Sequence, residues 1–301
     1  MNWKHWSPDR LGVVLAILAA FGFSFKAILI KLAYAVPMAV PVHPVTLLSL
    51  RMTLSLPAFI WVAWRAGRSA PPLSRRDWAA LLALGLVGYY GASLFDFLGL
   101  QYISAGLERL ILFTYPTLTI LIGVLFQGKP FTRREGIAIV LCYTGIGFAF
   151  LHDLNLGEPR SVLIGGALVF ASSVSYALYL AGSAPMIGRL GAMRFAALAM
   201  LFSTAVTLGH FMAAQPFTAF IQPLPVYGWA LAMALFATVI PVFALSAAIR
   251  RIGAGQASLF GMVGPILTIG FGWWLLGEPI SAEQSIGAIF VVVGILIVSR
   301  R

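Results

Sequence analysis

Six charged side chains lie within apolar runs of this sequence, where charge is rare, and two of them, Lys31 and Arg51, fall near one end of their runs. Lys26 stands about two-thirds along the first run, Asp96 near the end of the third, and Glu108 and Arg109 at the start of the fourth. A charge at the centre of a membrane helix costs roughly 2.5–3.5 kcal/mol on insertion scales. Asp96, Glu108 and Arg109 therefore form either ion pairs that close one face or part of a site. Lys26 could hold a substrate carboxylate, or be neutral and titrate during a working cycle.

Polar and aromatic side chains recur at helical spacing in three of the apolar runs, so that each set shares one helix face. The three stripes are Tyr89, Ser93 and Asp96; Ser172, Ser175, Tyr176 and Tyr179; and Glu108, Leu112, Tyr115 and Thr119. A tyrosine offers an aromatic wall and one hydroxyl, which suits a partly apolar, zwitterionic or aromatic ligand. Small residues also permit close helix packing, and tyrosines also populate the headgroup belt. The candidate cavity residues are Lys26, Tyr89, Ser93, Asp96, Glu108, Tyr115, Ser175, Tyr176 and Tyr179.

Two prolines interrupt the fourth and ninth apolar runs in mid-course. Pro116 and Pro265 each remove a backbone donor and push away the carbonyl four residues earlier, at Leu112 and Gly261. In lipid such a carbonyl needs a partner, and a cavity wall is one of the few places where it can stay available. We expect Pro116, Gly264 and Pro265 to act as hinges that expose polar backbone to substrate. The alternative is a packing kink satisfied by a neighbouring side chain.

The elements that must position these residues are membrane helices. Sixty per cent of the 301 residues are apolar, 10% are charged, and the mean hydropathy is +0.95, whereas a soluble protein needs more charge to cover its surface. About 20 mostly apolar residues span the hydrocarbon as a helix. Ten such runs lie near 11–33, 45–64, 78–98, 107–126, 136–151, 162–182, 195–213, 226–248, 255–276 and 284–299. The predicted fold class is therefore an all-α polytopic membrane protein with ten transmembrane helices.

An internal repeat divides these spans into two halves. The segments 103–130 and 252–279 align without a gap at an offset of 149 residues, and 11 of the 28 paired positions are identical. Both begin Ile-x-Ala-Gly, and both end Gly-x-Pro. Since five spans per half is an odd number, the second half must be inverted relative to the first, an arrangement typical of transporters. We expect one five-helix repeat over 1–155 and an inverted one over 156–301.

The net charge of +11 has a topological explanation. Fifteen of the twenty basic residues fall on one side of the predicted spans, and the opposite loops contain only Arg160 together with four acidic residues. This positive-inside asymmetry places both termini in the cytoplasm, so the basicity calls for a lipid bilayer and not for a nucleic-acid partner. The predicted location is the plasma membrane, the inner membrane of a bacterium, and the helices do not indicate an oligomeric state.

These features resemble the drug/metabolite transporter superfamily, in particular its ten-helix EamA type. The resemblance covers nearly the whole chain and is most specific over Tyr102–Leu110, Tyr115–Thr119 and Gly277–Ile280. The family commonly has an acidic residue after the fourth span as well, where this chain has Lys129. The resemblance implies a 5+5 inverted repeat, a cavity lined mainly by spans 1, 3, 4, 6, 8 and 9, and export of small metabolites, with amino-acid exporters among the best-known members.

Two other classes of protein fit less well. An intramembrane enzyme would need carboxylates paired with a metal or a His, Ser and Cys constellation at depth, but no histidine has an acidic neighbour at helical spacing. The single cysteine, Cys142, builds neither a disulfide nor a metal site, and no nucleotide or dinucleotide fingerprint appears. We therefore expect no metal and no cofactor. A non-transporting scaffold or receptor would not require an inverted repeat or Lys26.

The sequence thus predicts a secondary transporter that works by alternating access and exports small metabolites. Amino acids, including aromatic ones, are the expected substrates by elimination. A phosphate carrier would need several Lys or Arg side chains facing the cavity, and a carrier of cationic drugs would need an unpaired acidic side chain deep in the membrane, and the sequence indicates neither. Cationic drugs and nucleotide-sugar-like metabolites remain the competing substrates. Proton exchange and simple facilitated efflux both remain open as sources of driving force.

Overall fold

The computed structural model describes residues 10–68, 70–128 and 130–299, and these residues form helices and connecting turns with no strand. The side chains of residues 127, 254, 255, 258, 259, 298 and 299 are outside this description, as are both termini. The α-helices are α1 Arg10–Tyr34, α2 Pro44–Gly67, α3 Arg75–Leu84, α4 Ala92–Gly99, α5 Ala105–Leu112, α6 Tyr115–Gln127, α7 Arg133–Leu156, α8 Pro159–Leu190, α9 Ala192–Ala214, α10 Leu224–Ala234, α11 Ile240–Gly261, α12 Gly264–Phe271 and α13 Ala282–Ser299. α11 is interrupted at Gly253, whose φ of 80° and ψ of 157° are not helical.

Within the described residues, eight helical segments are long and apolar enough to cross a bilayer. They are Arg10–Tyr34, Pro44–Gly67, Arg75–Gly99, Ala105–Phe126, Arg133–Leu156, Pro159–Leu190, Ala192–Ala214 and Leu224–Gly253. Two shorter apolar helices, Gly264–Leu276 and Ala282–Ile297, follow them. All ten apolar runs of the sequence are therefore helical. Eight of them meet the length of a membrane span by themselves.

Several of these segments are not uniform α-helices. A π-helical stretch, Gly85–Gly91, separates α3 from α4, and a second one, Leu235–Val239, separates α10 from α11. The two proline-containing runs are broken more sharply than the sequence indicates. α5 ends at Leu112 and α6 restarts at Tyr115, while α11 ends at Gly261 and α12 restarts at Gly264. Each proline occupies the first turn of the new helix, where its missing N–H costs nothing.

Matching irregularities recur at the offset of the sequence repeat. The π-helical stretches Gly85–Gly91 and Leu235–Val239, and likewise the two breaks before a proline, lie about 149 residues apart. A third π-helical stretch, Gly272–Leu276 after α12, has no such match, because the corresponding residues of α6 are α-helical. Gly128 and Gly277 both end their helices in the left-handed region, with φ of 64° and 67°. Only glycine enters this region without strain, which explains the glycine of the repeated Gly-x-Pro motif. Similar sequence at this offset therefore produces similar local backbone.

Close helix crossings hold the bundle together. α7 packs along α13, α1 along α11, α2 along α9, and α4 along α8. At the α7–α13 crossing, the Cys142 thiol lies 3.7 Å from the carbonyl oxygen of Val291, its own counterpart in the repeat at a separation of 149 residues. Small residues permit this approach, since the Gly145 Cα faces the backbone of Gly287.

The junction between the two halves is shorter than the sequence predicts. Residues 152–161 were expected to form a polar outer loop, but α7 continues to Leu156 and α8 begins at Pro159. His152 and Asp153 are buried within the last turns of α7. Glu158 accepts a hydrogen bond from the Ser161 N–H and so caps α8. The polar residues of this segment thus terminate and dock helices.

The α7–α13 crossing generates a prediction about stability. A Cβ at Gly145 would lie 2.5 Å from the Gly287 carbonyl oxygen and 2.9 Å from the Phe290 Cβ, so Gly145→Ala should force the helices apart. Overpacking of this kind typically costs about 1–3 kcal/mol, and we expect a lower melting temperature for the purified protein. Gly147→Ala is the matched control, because a Cβ there meets nothing within 4 Å. Equal melting temperatures for the two variants would contradict the assigned crossing.

Candidate functional site

The charged residues of spans 1, 3 and 4 converge on one point. The Lys26 Nζ of α1 lies 2.7 Å from the Asp96 Oδ2 of α4 and 3.7 Å from the Glu108 Oε1 of α5. Asp96 and Glu108 are 1% and 0% exposed, while the Lys26 side chain is 19% exposed. We call these three residues the charged triad. The sequence nominated all three, and the fold brings them into contact across up to 82 residues of chain.

Two arginines adjoin the charged triad. The Arg51 Nη2 of α2 donates to the Ser93 hydroxyl at 3.2 Å, one helical turn from Asp96. Arg109 follows Glu108 on α5, donates from Nη1 to the Phe23 carbonyl at 3.3 Å, and lies over the Phe113 ring. Both guanidinium groups are buried. Ser93, a predicted cavity residue, thus orients Arg51 in this structure.

Several buried polar atoms of this region have no hydrogen-bond partner in the described part of the chain. They are the Arg51 Nε, the Arg109 Nε and the four carboxylate oxygens of Asp96 and Glu108, of which the Asp96 Oδ2 and the Glu108 Oε1 face Lys26. A buried donor or acceptor left without a hydrogen bond costs about 1–3 kcal/mol, and more when it is charged. Unpaired donors and acceptors concentrated at one place therefore mark a site that can receive a polar ligand.

The four predicted tyrosines form one aromatic cluster. Tyr115 packs edge-on against Tyr176 with ring centroids 5.0 Å apart, Tyr176 stacks on Tyr179, and the Tyr179 hydroxyl donates to the Tyr89 hydroxyl at 3.1 Å. Phe113 links this cluster to Arg109, since its ring contacts both Tyr115 and the guanidinium. An aromatic surface thus runs continuously from the charged residues into the protein, as the stripes on separate spans predict.

The π-helical stretch Gly85–Gly91 makes room for these tyrosines. The Tyr179 ring packs directly on the Cα of Gly88, where any side chain would collide with it. The Ser175 hydroxyl donates to the Val87 carbonyl at 2.6 Å, and this carbonyl also accepts the Ala92 N–H of the same span. Ser175 was nominated as a cavity residue. In this structure its hydroxyl is occupied by the backbone of span 3.

A serine also satisfies the carbonyl that Pro116 displaces. The Ser173 hydroxyl donates to the Leu112 carbonyl at 3.1 Å and lies 2.7 Å from the Thr114 hydroxyl. At Pro116 the structure therefore does not expose a free carbonyl to substrate. The carbonyl instead accepts a hydrogen bond from a side chain of α8. Sequence reasoning missed Ser173, although it lies 149 residues from Ser24, its counterpart in span 1.

Gly264 accommodates Arg109 beside the break in span 9. A Cβ at Gly264 would lie 2.7 Å from the Arg109 Nη2 and 3.1 Å from the Phe113 Cζ. The absence of a side chain therefore lets the guanidinium settle against the first turn of α12. Gly264 was nominated only for its backbone freedom, whereas the fold uses its small size to connect the break in span 9 with span 4.

A second polar cluster lies at the N-terminus of α5, beside a cavity of about 480 Å³ whose lining includes Lys31 and Glu278. Glu278 receives the Ala105 N–H at 3.0 Å and pairs with the Lys31 Nζ at 2.9 Å. Beside it, Asp153 accepts hydrogen bonds from both the N–H and the hydroxyl of Ser104, each at 2.7 Å. We call the Lys31–Glu278–Ala105 contact the outer latch, after the side on which the topology predicted from the sequence places it. Sequence reasoning missed it, because Glu278 and Ala105 are 173 residues apart.

The two halves of span 4 differ in how tightly they are enclosed. Every side chain from Ala105 to Ile111 is buried, and α5 packs against α1, α7, α8, α12 and α13. In α6, by contrast, the side chains of residues 118–122 are all partly exposed. Five consecutive residues cover more than one helical turn, so no face of this stretch is sealed. α5 is thus enclosed by other helices, whereas α6 lies partly at the surface of the bundle.

No group of three or more His, Cys, Asp and Glu side chains that could hold a metal ion occurs among the described residues. A bundle of long apolar helices surrounding buried charges, aromatic rings and interrupted helices defines a multi-pass membrane protein of the transporter class.

The chain belongs to the EamA-like transporter family. The sequence model of this family matches residues 10–151 and again residues 163–300. The protein is accordingly a membrane transporter and not an enzyme.

Relatives from bacteria and archaea support the same class. The chain is 30% identical over 296 residues to the uncharacterized transporter YcbK of Bacillus subtilis strain 168, covering 94% of this chain and 92% of the relative. It is 23% identical to an uncharacterized transporter of Archaeoglobus fulgidus, covering 96% and 98% of the two chains. A solved crystal structure superposes with a TM-score of 0.66 at 16% identity, covering 95% of both chains. That likeness concerns the fold alone.

The charged triad yields a prediction about coupling. Lys26→Met should leave two buried carboxylates without their cation, and breaking a buried ion pair in this way costs about 3–5 kcal/mol. Adding Asp96→Asn to Lys26→Met should restore much of the lost stability, because it removes the uncompensated charge. A double-mutant cycle on the melting of the purified protein measures this coupling.

The pair of Arg189 and Asp77, with an N–O distance of 2.7 Å, provides the control for this cycle. Asp77 is buried, but it also accepts hydrogen bonds from the N–H and the hydroxyl of Ser74, so it keeps partners when the arginine is removed. Arg189→Met should change the melting temperature little, because the arginine is 61% exposed and well hydrated. Additive losses for Lys26→Met and Asp96→Asn would show that the two side chains do not form the buried pair.

Proposed function

We propose that this protein is a secondary transporter that exports small zwitterionic metabolites, amino acids above all and aromatic ones among them. One observation carries the proposal: buried donors and acceptors of opposite charge stand unpaired in the same place. The Arg109 Nε and the Glu108 carboxylate both lack hydrogen-bond partners in the described part of the chain. A zwitterion offers a carboxylate to the first and an ammonium to the second. The neighbouring tyrosines suit a substrate side chain that is aromatic or partly apolar.

The balance of charge argues against the competing substrates. An organic cation would add a positive charge to a cluster in which Lys26, Arg51 and Arg109 already outnumber Asp96 and Glu108, and it has no carboxylate to offer an arginine. A nucleotide sugar would want several unopposed cations, whereas Lys26, Arg51 and Arg109 lie among Asp96 and Glu108. A zwitterion adds no net charge to the cluster and therefore preserves its balance.

The proposed topology has ten spans, in two inverted repeats of five over residues 1–155 and 156–301. In it the two shorter apolar helices, Gly264–Leu276 and Ala282–Ile297, complete the count. The matching breaks, π-helical stretches and glycine caps at an offset of 149 residues favour this division. The positive-inside distribution favours cytoplasmic termini and the plasma membrane of a bacterium. The terminal residues themselves lie outside the described structure.

Alternating access follows from the uneven enclosure of span 4. In the proposed cycle, the outer latch holds α5 in its buried position in the present state, and α6, whose residues 118–122 are partly exposed, is the less tightly packed half of the span. The spans bend at the breaks before Pro116 and Pro265, with Gly264 at the second break, and the packing moves from the outer to the inner half. Because inverted repeats have similar packing on both sides, the two states can have similar energies.

Substrate analogues that lack one charge test the zwitterion proposal. Proteoliposomes loaded with unlabelled compound should accumulate labelled phenylalanine when the compound is phenylalanine. Loading with phenethylamine or 3-phenylpropionate should reduce exchange at least about tenfold, because each lacks one charged contact worth roughly 1.5–3 kcal/mol. Protein-free liposomes are the control.

The same assay includes a nucleotide sugar and a quaternary amine. Exchange driven by phenethylamine or the quaternary amine alone would favour a cationic-drug exporter, and exchange driven by the nucleotide sugar would favour that class. No flux with any compound would favour a non-transporting scaffold.

The outer latch makes a separate prediction about conformation. Glu278→Gln weakens the contacts to Lys31 and to the Ala105 N–H, so the outer side should open more often. In a Cys142→Ala background, Leu112→Cys places a reporter on the face of span 4 that carries Glu108 and Tyr115. We expect a membrane-impermeant maleimide added outside to label this cysteine several-fold faster in the Glu278→Gln variant.

Glu283→Gln is the matched control for this labelling. Glu283 is an exposed acid at the start of α13, close in sequence to Glu278 but not part of the outer latch. An equal labelling rate with and without Glu278→Gln would argue against the outer latch as the barrier.

A further inference from the structure

Glu108 differs from Asp96 in how its charge is compensated. Asp96 makes the close contact to Lys26, at 2.7 Å, whereas Glu108 is 1.0 Å farther from the same ammonium, at 3.7 Å. Glu108 is fully buried and neither of its oxygens receives a hydrogen bond within the described part of the chain. One ammonium thus serves two carboxylates. A buried carboxylate without a close cation or donor is the group most readily neutralised by a proton.

The surroundings of Glu108 supply little further compensation. α1 contributes Lys26, α4 contributes Asp96, and Arg109 on α5 itself is directed to Phe23 and Gly264. Three of the other helices packed against α5 each contribute one polar group to this region. Tyr176 of α8 packs against Tyr115, Asp153 of α7 accepts a hydrogen bond from Ser104, and Gln284 of α13 contacts Gly106. The helix α12 has no ionisable side chain.

We infer that Glu108 is a proton-binding site, and that a proton and the ammonium of the substrate occupy it alternately, so that the transporter exchanges substrate for protons. This inference rests on the proposed function, because it assigns the ammonium of a zwitterion to the Glu108 carboxylate. The two ligands exclude each other, since a protonated carboxyl has no charge to offer an ammonium. Asp96 stays paired with Lys26 in both states.

The exchange balances in charge and atoms. In the inward-facing state a zwitterion enters, the Glu108 O–H bond breaks, and its proton leaves to cytoplasmic water as the ammonium takes its place. In the outward-facing state the substrate leaves and a proton from the outer water binds to Glu108. Each cycle moves one neutral zwitterion out and one proton in. An inward proton gradient therefore drives export, with no nucleotide required.

Proton release on binding tests this exchange directly. Saturating phenylalanine is added to purified protein in weakly buffered detergent solution that contains a pH indicator. At a pH where Glu108 is protonated, the wild-type protein should release up to about one proton per bound substrate, and binding should weaken up to tenfold for each unit of falling pH. Glu108→Gln should release none, and Glu108→Asp should retain both binding and release. In Glu283→Gln, release should equal that of the wild type.

The outcomes separate this inference from the proposed function. Wild-type binding of phenylalanine without proton release overturns the exchange and leaves zwitterion transport intact. Undiminished release from Glu108→Gln assigns the proton to another group and overturns the inference. If Glu108→Gln does not bind, Glu108→Asp decides, and binding by it without release overturns the inference. Failure of the wild-type protein to bind or exchange any zwitterion overturns the proposed function itself.

Discussion

The cost of placing charge away from water determines how the centre of this protein is built. Lys26, Asp96 and Glu108 stand on three different helical spans, and none is fully hydrated in the bundle. Each alone would strongly disfavour membrane burial. Together they compensate one another, so α1, α4 and α5 must meet at one point. The remaining imbalance, two acids around one ammonium, leaves a buried group able to bind a ligand or a proton.

Interrupted helices impose a second requirement, because backbone groups freed in a membrane need partners. Side chains of α8 supply several of these partners. Its Ser172, Ser173 and Ser175 donate to carbonyls at Ala92, Leu112 and Val87, which border the irregular turns of spans 3 and 4. Ser172 and Ser175 belong to the polar stripe predicted from the sequence, whereas Ser173 does not. The stripe is real, but in this structure the hydroxyls support neighbouring helices.

The two halves differ at the charged positions of the candidate site and of the outer latch. The counterpart of Lys26 in the second half is Ser175, so the charged site belongs to the first half alone. The counterpart of Glu278 is Lys129, which lies outside the described residues. A lysine has no acceptor for a backbone N–H, so the contact that Glu278 makes with Ala105 has no equivalent partner in the first half. The two halves thus share a similar backbone but carry different side chains at these positions. This difference would make the energies of the two proposed states unequal.

The sequence by itself determined the helical class, the positions of the apolar helices and the residues worth examining. Hydrophobic length, charge asymmetry and helical spacing are local properties, so Lys26, Glu108 and the four tyrosines could be nominated from them. Only the tertiary structure decided which of these residues meet. The Lys26–Asp96 pair, the Ser173 hydroxyl on the Leu112 carbonyl and the outer latch at Glu278 join distant segments. Such contacts depend on how helices cross, and no single helix carries that information in its own pattern.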